Sequence, residues 1–292
     1  RSDLKGTMKV ENFSVDTESA GTLTGLRWGS THDLPVLALH GWLDNAASFA
    51  PLAACLGGVQ IFAIDLPGHG KSDHRPPGTR YHLMDYVPAV LEAADALGFN
   101  RILIMGHSLG AAIAGLAAVA APERVRAVIL IEGLGPVSEP ESKLPGRLRD
   151  SVAGYARVLK RAAPVYPDIE TLVSSRARIS AMSEASARLL IERNVNHHDD
   201  GYRWCSDSRL RLDSPAFLTE PQVLACLKAI AQPIQVLLGN DGMLTKRETL
   251  SPRLEALSSA DVRWFDGAHH LHMDHPEVIA AAAADFLSQF VP

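Results

Sequence analysis

The chain has 292 residues, enough for two structural units or one large α/β unit carrying an insertion. Its residues are 47% hydrophobic and 21% charged, a balance that excludes a disordered, collagen-like or coiled-coil protein. The net charge of −5 comes with 28 Lys and Arg scattered rather than gathered, so a polyanion partner such as nucleic acid is not expected.

From the N-terminus, Arg1–Thr7 contains no apolar h-region, and Met8 reads as a natural start. Short β-branched or apolar runs then alternate with longer Ala/Leu-rich stretches, the pattern of a parallel sheet covered on both faces. The predicted strands are Met8–Val15, Gly25–Trp28, Val36–His40, Val59–Ile64, Ile102–Met105, Ala127–Ile131, Ile234–Leu238 and Asp261–Phe265. Helical stretches are predicted at Ser48–Leu56, Leu83–Leu97, Leu109–Ala120, Lys246–Leu257 and Glu277–Phe290. Between Ile131 and Ile234 the strand signal lapses after a connector rich in Pro, Ser and Glu. We therefore expect residues 1–135 and 226–292 to form an α/β core with an eight-stranded, mostly parallel sheet. Residues 136–225 would form a helical cap over the sheet's carboxyl edge.

The apolar run Ala111–Ala121 stops at Pro122, well short of the roughly 20 residues a bilayer requires, so no membrane span is expected. Three separated cysteines (Cys55, Cys205, Cys226) supply neither a disulfide framework nor a zinc knuckle and suit the cytoplasm.

The chemistry concentrates where Ile102–Met105 runs into Gly106-His-Ser-Leu-Gly110 and then a helical stretch. A G-x-S-x-G in strand, turn, helix context is the nucleophile-elbow pattern. The sharp turn exposes the serine hydroxyl, and the flanking glycines permit backbone approaches that a Cβ would block. Ser108 is the candidate nucleophile, and the N–H of Leu109 at the helix start is half of an oxyanion hole. The other half is the N–H of Trp42, in the turn after Val36–His40, with its ring free to line a pocket. A serine needs a base, and the loop after the last predicted strand carries Gly267-Ala-His269-His270-Leu-His272. His269, first after the strand and preceded by small residues, is the preferred base. With an ordinary imidazole near pKa 6.5, activity should rise as pH approaches neutrality.

The acid that orients the base has two candidates, Asp241 after Ile234–Leu238 and Glu132 after Ala127–Ile131. The residues leave that choice open. His270-Leu-His272-Met-Asp274-His275 also spells a dinuclear zinc motif, but the short remainder of the chain has no histidine to complete it. His197-His198-Asp199-Asp200 reads as a solvated loop. No metal or other cofactor is called for.

These motifs resemble the α/β-hydrolase fold across nearly all of residues 8–292. His40-Gly-Trp-Leu-Asp-Asn45, Asp65-Leu-Pro-Gly-His-Gly70-Lys-Ser72 and Tyr81-His-Leu-Met-Asp-Tyr86 are similar to the serine hydrolase-like group that includes the fly protein kraken. The resemblance implies Ser108 as nucleophile, His269 as base, and Trp42 and Leu109 as oxyanion donors. Related haloalkane and fluoroacetate dehalogenases place their acid where Glu132 stands. They carry Asp where this chain has Ser108, so halide displacement is replaced by acyl transfer. The expectation is a carboxylic-ester hydrolase acting on a small molecule, with Trp42, Phe49, Leu134 and Trp204 as pocket walls for small to medium acyl groups. The rival readings are a hydrolase-fold binding protein that turns its ligand over slowly or not at all, and a zinc hydrolase.

Overall fold

The computed structural model describes residues 9–160, 164–257 and 259–291. Eight strands form one sheet in the order β1-β2-β4-β3-β5-β6-β9-β10. They are β1 (Glu11–Thr17), β2 (Gly21–Trp28), β3 (Leu34–Leu39), β4 (Val59–Ile64), β5 (Ile102–His107), β6 (Val125–Ile131), β9 (Ile234–Gly239) and β10 (Asp261–Phe265). The β1–β2 and β2–β4 pairs are antiparallel, and every other pair in the sheet is parallel. The expected eight-stranded, mostly parallel sheet is therefore present. Met8, expected to open the first strand, and the segment before it lie outside the described residues.

Strand alternation sends successive side chains to opposite faces, and the buried residues sort accordingly. Leu37, Leu39, Ile104, Val128, Val236 and Leu238 pack on one face with α2 (Tyr86–Ala96), α3 (Leu109–Ala120) and α7 (Glu220–Lys228). Val36, Ala38, Leu103, Met105, Ile129 and Leu237 pack on the other with α1 (Ala50–Cys55) and α10 (Pro276–Leu287). Two of the predicted helices are shorter and enter through 3-10 turns, Ala46–Phe49 before α1 and Leu83–Asp85 before α2.

The segment between β6 and β9 carries α4 (Leu144–Lys160), α5 (Ile169–Ser180), α6 (Glu184–Asn194) and α7. It also holds an antiparallel hairpin that the helical reading did not anticipate, β7 (Val195–His198) with β8 (Gly201–Trp204). Its signal is short: Val195, Tyr202 and Trp204 suit a strand, and Asp199-Asp200 makes the turn. His197 and His198, read as loop residues, lie exposed on β7. Leu172, Val173, Leu190, Ile191 and Val195 form a separate apolar cluster that also takes in Met273 from α9 (Leu271–Asp274), so this insertion rests on the core. A buried ion pair, Arg193 with Asp65 at 2.8 Å, adds a second attachment. No helix among the described residues is long and apolar enough to cross a membrane.

Candidate active site

The turn between β5 and α3 consists of Ser108 alone, at φ 52° and ψ −109°, a conformation that L-residues rarely adopt. It is tolerated because the residues two positions to either side, Gly106 and Gly110, have no side chain. A Cβ on Gly106 would come within 2.3 Å of Gly110 O, and one on Gly110 within 2.0 Å of Leu39 O. The hydroxyl-bearing residue is thus held at the sheet's carboxyl edge, partly exposed. Its own N–H donates to Ile131 O at 2.9 Å.

The N–H groups of Gly110, Ala111 and Ala112 are taken up by His40 O and Ser108 O. Among the described residues, no bond within the chain claims the Leu109 N–H or the Trp42 N–H. The Trp42 turn is set by His40, whose Nδ1 lies 2.7 Å from Gly41 O while its Nε2 accepts from Leu66 N–H at 2.9 Å. That pair of bonds fixes the neutral Nδ1–H tautomer, and burial lowers the ring's pKa in the same sense.

His269 lies in the loop after β10, and that loop is tied to the elbow. The ring of His107, the residue before Ser108, places Nε2 at 2.9 Å from His269 O. The His107 and His269 ring centroids are 4.8 Å apart. Residues 108 and 269, drawn from distant parts of the chain, therefore occupy adjoining loops. His269 Nδ1 lies 3.2 Å from Glu132 Oε2. Burial pushes the His269 pKa down, opposed by the Glu132 contact, which pushes it up.

Of the two candidate acids, the structure brings Glu132 to the imidazole and leaves Asp241 apart. Glu132 is 1% exposed, and its carboxylate also accepts from Gly239 N–H at 2.8 Å and Met243 N–H at 3.1 Å. It stands at φ 48°, and the next residue, Gly133, passes so close that a Cβ would lie 2.6 Å from Ser108 O. Asp241 has an exposed side chain, and its N–H is bound to Gly267 O at 3.1 Å. The β9 loop that carries it turns its backbone donors toward the Glu132 carboxylate. Leu43, Ser108 and Glu132, three of the four non-glycine residues with positive φ among those described, surround this one site. Such clustering marks a place where local conformational cost is offset by the fold around it.

The four residues expected to wall the pocket separate into two pairs. Trp42 is 52% exposed, with Nε1 donating to Leu210 O at 3.0 Å, and Trp204 lines a small cavity beside Leu43 and Arg176. Phe49 and Leu134 do not serve as expected. Phe49 is fully buried below the sheet against His272, because its 3-10 turn faces the core, and Leu134 is buried in the opposite core layer with its carbonyl bound to Arg253.

Sequence reasoning missed a buried polar layer directly beneath the elbow. Asp44 Oδ2 lies 3.3 Å from His270 Nε2 and 3.6 Å from His107 Nδ1, and its Oδ1 is paired with Arg176 from α5. Burial raises the Asp44 pKa, yet the neighbouring His270, His107 and Arg176 hold it well below the usual carboxylate range. The ligand atoms of Asp44, His107 and His270 lie within 4.8 Å of one another, a donor set suited to a first-row transition metal. The motif noticed in the sequence does not assemble. Asp274 instead accepts from Ser186 Oγ at 2.7 Å, and His272 is buried with neither ring nitrogen bonded. The local signal for this layer was only the His in Gly-His-Ser and the Asp in His-Gly-Trp-Leu-Asp; their meeting is tertiary.

A sheet of this order with a nucleophile elbow after β5 defines an α/β hydrolase, and the alpha/beta hydrolase fold family model matches residues 35–276. The chain belongs to that family, and within it to the serine hydrolase-like group. It is 31% identical over 283 residues to the serine hydrolase-like protein of Danio rerio, covering 93% of this chain and 87% of that one. A hypothetical protein of Pseudomonas aeruginosa PAO1 superposes with a TM-score of 0.88 at 36% identity, covering 96% of this chain and 99% of that one. The thioesterase domain from the curacin biosynthetic pathway superposes with a TM-score of 0.81 at 26% identity, covering 94% and 98% respectively.

Proposed function

We propose that the protein is a serine hydrolase that cleaves carboxylic esters of small to medium acyl groups through an acyl-enzyme on Ser108. The observation that carries this reading is the buried Glu132 carboxylate, held by two backbone N–H groups and directed at His269 Nδ1 at 3.2 Å. A carboxylate in that place keeps the proton on Nδ1, which leaves Nε2 as the basic nitrogen. His269 Nε2 takes the Ser108 proton as Oγ attacks the ester carbonyl. The carbonyl oxygen becomes an oxyanion, received by the N–H groups of Leu109 and Trp42. Collapse of this intermediate expels the alcohol, to which His269 returns the proton. Water, deprotonated by the same imidazole, then attacks the acyl-enzyme and releases the acid. Burial of His269 supports this role, because it keeps the ring in its basic form at neutral pH.

The thioesterase likeness leaves the leaving atom open to assay, and esters are the form in which the parts are most simply tested. A fluorophosphonate probe should add its mass at Ser108, and Ser108→Ala should abolish both labelling and hydrolysis of p-nitrophenyl esters. A folded protein that resists the probe would instead support the binding-protein reading.

A further inference from the structure

A cavity of about 30 Å³ lies between α5, α6 and β8 of the insertion and the turn that follows β3. Its position ties it to the proposed reaction centre. Leu43, on its wall, is the residue after Trp42, and Arg211, also on its wall, follows Leu210, whose carbonyl accepts the Trp42 indole N–H at 3.0 Å. The volume is that of two or three water-sized spheres, at roughly 10–15 Å³ each. A carboxylate fills such a space.

Several polar atoms on the wall lack partners. Arg176 Nε and Asn194 Oδ1 are both buried with no hydrogen bond, and Asn194 as a whole is only 4% exposed. No bond fixes the Asn194 amide among the described residues, so it can present its NH₂ to the cavity equally well. Arg176 is anchored through its terminal nitrogen to Asp44, which fixes the direction of the remaining Nε–H. Arg211 is exposed, lies 6.0 Å over the Trp204 ring, and has no carboxylate partner among the described residues. Other arginines of this region do have one, Arg193 with Asp65 and Arg209 with Asp207. Because Asp44 already balances Arg176, the wall carries one uncompensated positive charge and three donors. That set is complementary to a planar monoanion.

We propose that this cavity is a subsite for a free carboxylate on the substrate, which makes the preferred substrate a half-ester or another carboxylate-bearing ester. The proposal rests on the ester-hydrolase reading for its chemistry but not for its binding. Leu43, Trp204 and Ile191 exclude water around the anion, and the guanidinium of Arg211, at the exposed side, admits it.

Two matched substrate pairs test the idea, one with the charge on the acyl side (p-nitrophenyl hemiglutarate against p-nitrophenyl valerate) and one with it on the alcohol side (4-acetoxybenzoate against phenyl acetate). In one pair the charged member should be favoured in kcat/KM on the order of 10- to 100-fold, as for loss of a hydrogen bond to a charged group. Arg211→Ala should collapse that ratio, and Arg211→Lys should retain part of it. Neutral and charged members used alike in both pairs, or a preference undiminished by Arg211→Ala, would overturn the proposal. Binding is read separately by calorimetry of glutarate with the folded Ser108→Ala protein at low salt, where heat is expected and should vanish when Arg211→Ala is added. If the fluorophosphonate fails to label Ser108 but glutarate binds, the hydrolase reading falls and the subsite stands. Labelling with neither charge preference nor glutarate binding overturns the subsite alone.

Discussion

Replacing Glu132 by Gln changes one carboxylate oxygen to an NH₂ in a site with no room to rearrange. The carboxylate accepts from three donors, Gly239 N–H, Met243 N–H and His269 Nδ1, at 2.8, 3.1 and 3.2 Å. A carboxamide can accept through one oxygen only, so at least one donor faces an NH₂. If that donor is the imidazole, the ring loses its orientation and takes the unproductive tautomer. Loss of the orienting carboxylate in a serine triad costs about 10⁴ in turnover, roughly 5.4 kcal/mol of transition-state stabilisation. If the unmatched donor is a backbone N–H, stability falls by about 1–3 kcal/mol, the penalty for a buried unsatisfied group. Asp241→Asn alters an exposed side chain and should leave kcat within about threefold, the range expected for a change removed from the reacting groups. The assay is steady-state hydrolysis of a neutral p-nitrophenyl ester by both variants, with circular dichroism and urea unfolding to establish that each is folded. A folded Glu132→Gln protein that keeps both more than a tenth of wild-type kcat and wild-type stability, or an Asp241→Asn protein that loses as much turnover as the Glu132 variant, would refute the assignment of the acid.

Burial lowers the His269 pKa, so the ring loses its proton at lower pH than a free imidazole. The acid limb of kcat/KM should therefore have its midpoint below 6.5, and a pH–rate series placing it above 7 would contradict a buried imidazole base. His40, His69, His107 and His272 are fully buried with pKa values lowered by burial, that of His69 to about 3. The unfolded chain binds protons at these positions that the folded chain refuses, so stability is retained above pH 6.5 and lost as pH falls below it. His69 alone should remove about 2 kcal/mol between pH 7 and pH 5; urea midpoints equal at the two pH values would exclude this. A Cβ at position 242 would lie 2.3 Å from Glu132 Oε1. Gly242→Ala should thus displace the carboxylate and reduce kcat at least tenfold, with an overpacking cost of about 1–3 kcal/mol seen in unfolding curves. Dialysis against EDTA should leave ester hydrolysis intact, since no step of the serine mechanism passes through a metal; activity lost with EDTA and restored by zinc would favour a metal at Asp44, His107 and His270.

The elbow was legible because its parts are adjacent in sequence. A strand, Gly106, Ser108, Gly110 and a small-residue helix specify one backbone path almost without reference to the rest of the chain. The acid was not legible for a topological reason. β6 and β9 are neighbours in the sheet, so a carboxylate after either strand starts near the same imidazole. What decides between Glu132 and Asp241 is the direction of the Gly239 and Met243 N–H groups, and that depends on how the β9 loop settles against β10. The misreading of Phe49 and Leu134 has a related cause. Closeness to a motif along the chain says nothing about which side of the sheet a side chain faces, and both turned inward. The β7–β8 hairpin escaped because four-residue strands carry too few alternations to stand out from a helical background.

On the proposed mechanism the turn after β3 does two jobs that look separate, supplying an oxyanion donor and seating the insertion. Three of its positions bond across the interface: Asp44 with Arg176 of α5, Asn45 Nδ2 with Leu190 O of α6 at 2.8 Å, and Trp42 Nε1 with Leu210 O at 3.0 Å. The same Asn45 fixes the following 3-10 turn by accepting from Ala47 N–H at 3.0 Å, while Asp65 receives Ala46 N–H at 2.7 Å and the buried guanidinium of Arg193. The backbone that would aim the Trp42 N–H at a developing negative charge is therefore positioned as much by the insertion as by the sheet. On the proposed mechanism, a substitution that cuts the turn's bonds to α5 and α6, such as Arg176→Ala, should therefore lower kcat by displacing the Trp42 N–H, although Arg176 is bonded to Asp44 and not to Trp42 itself.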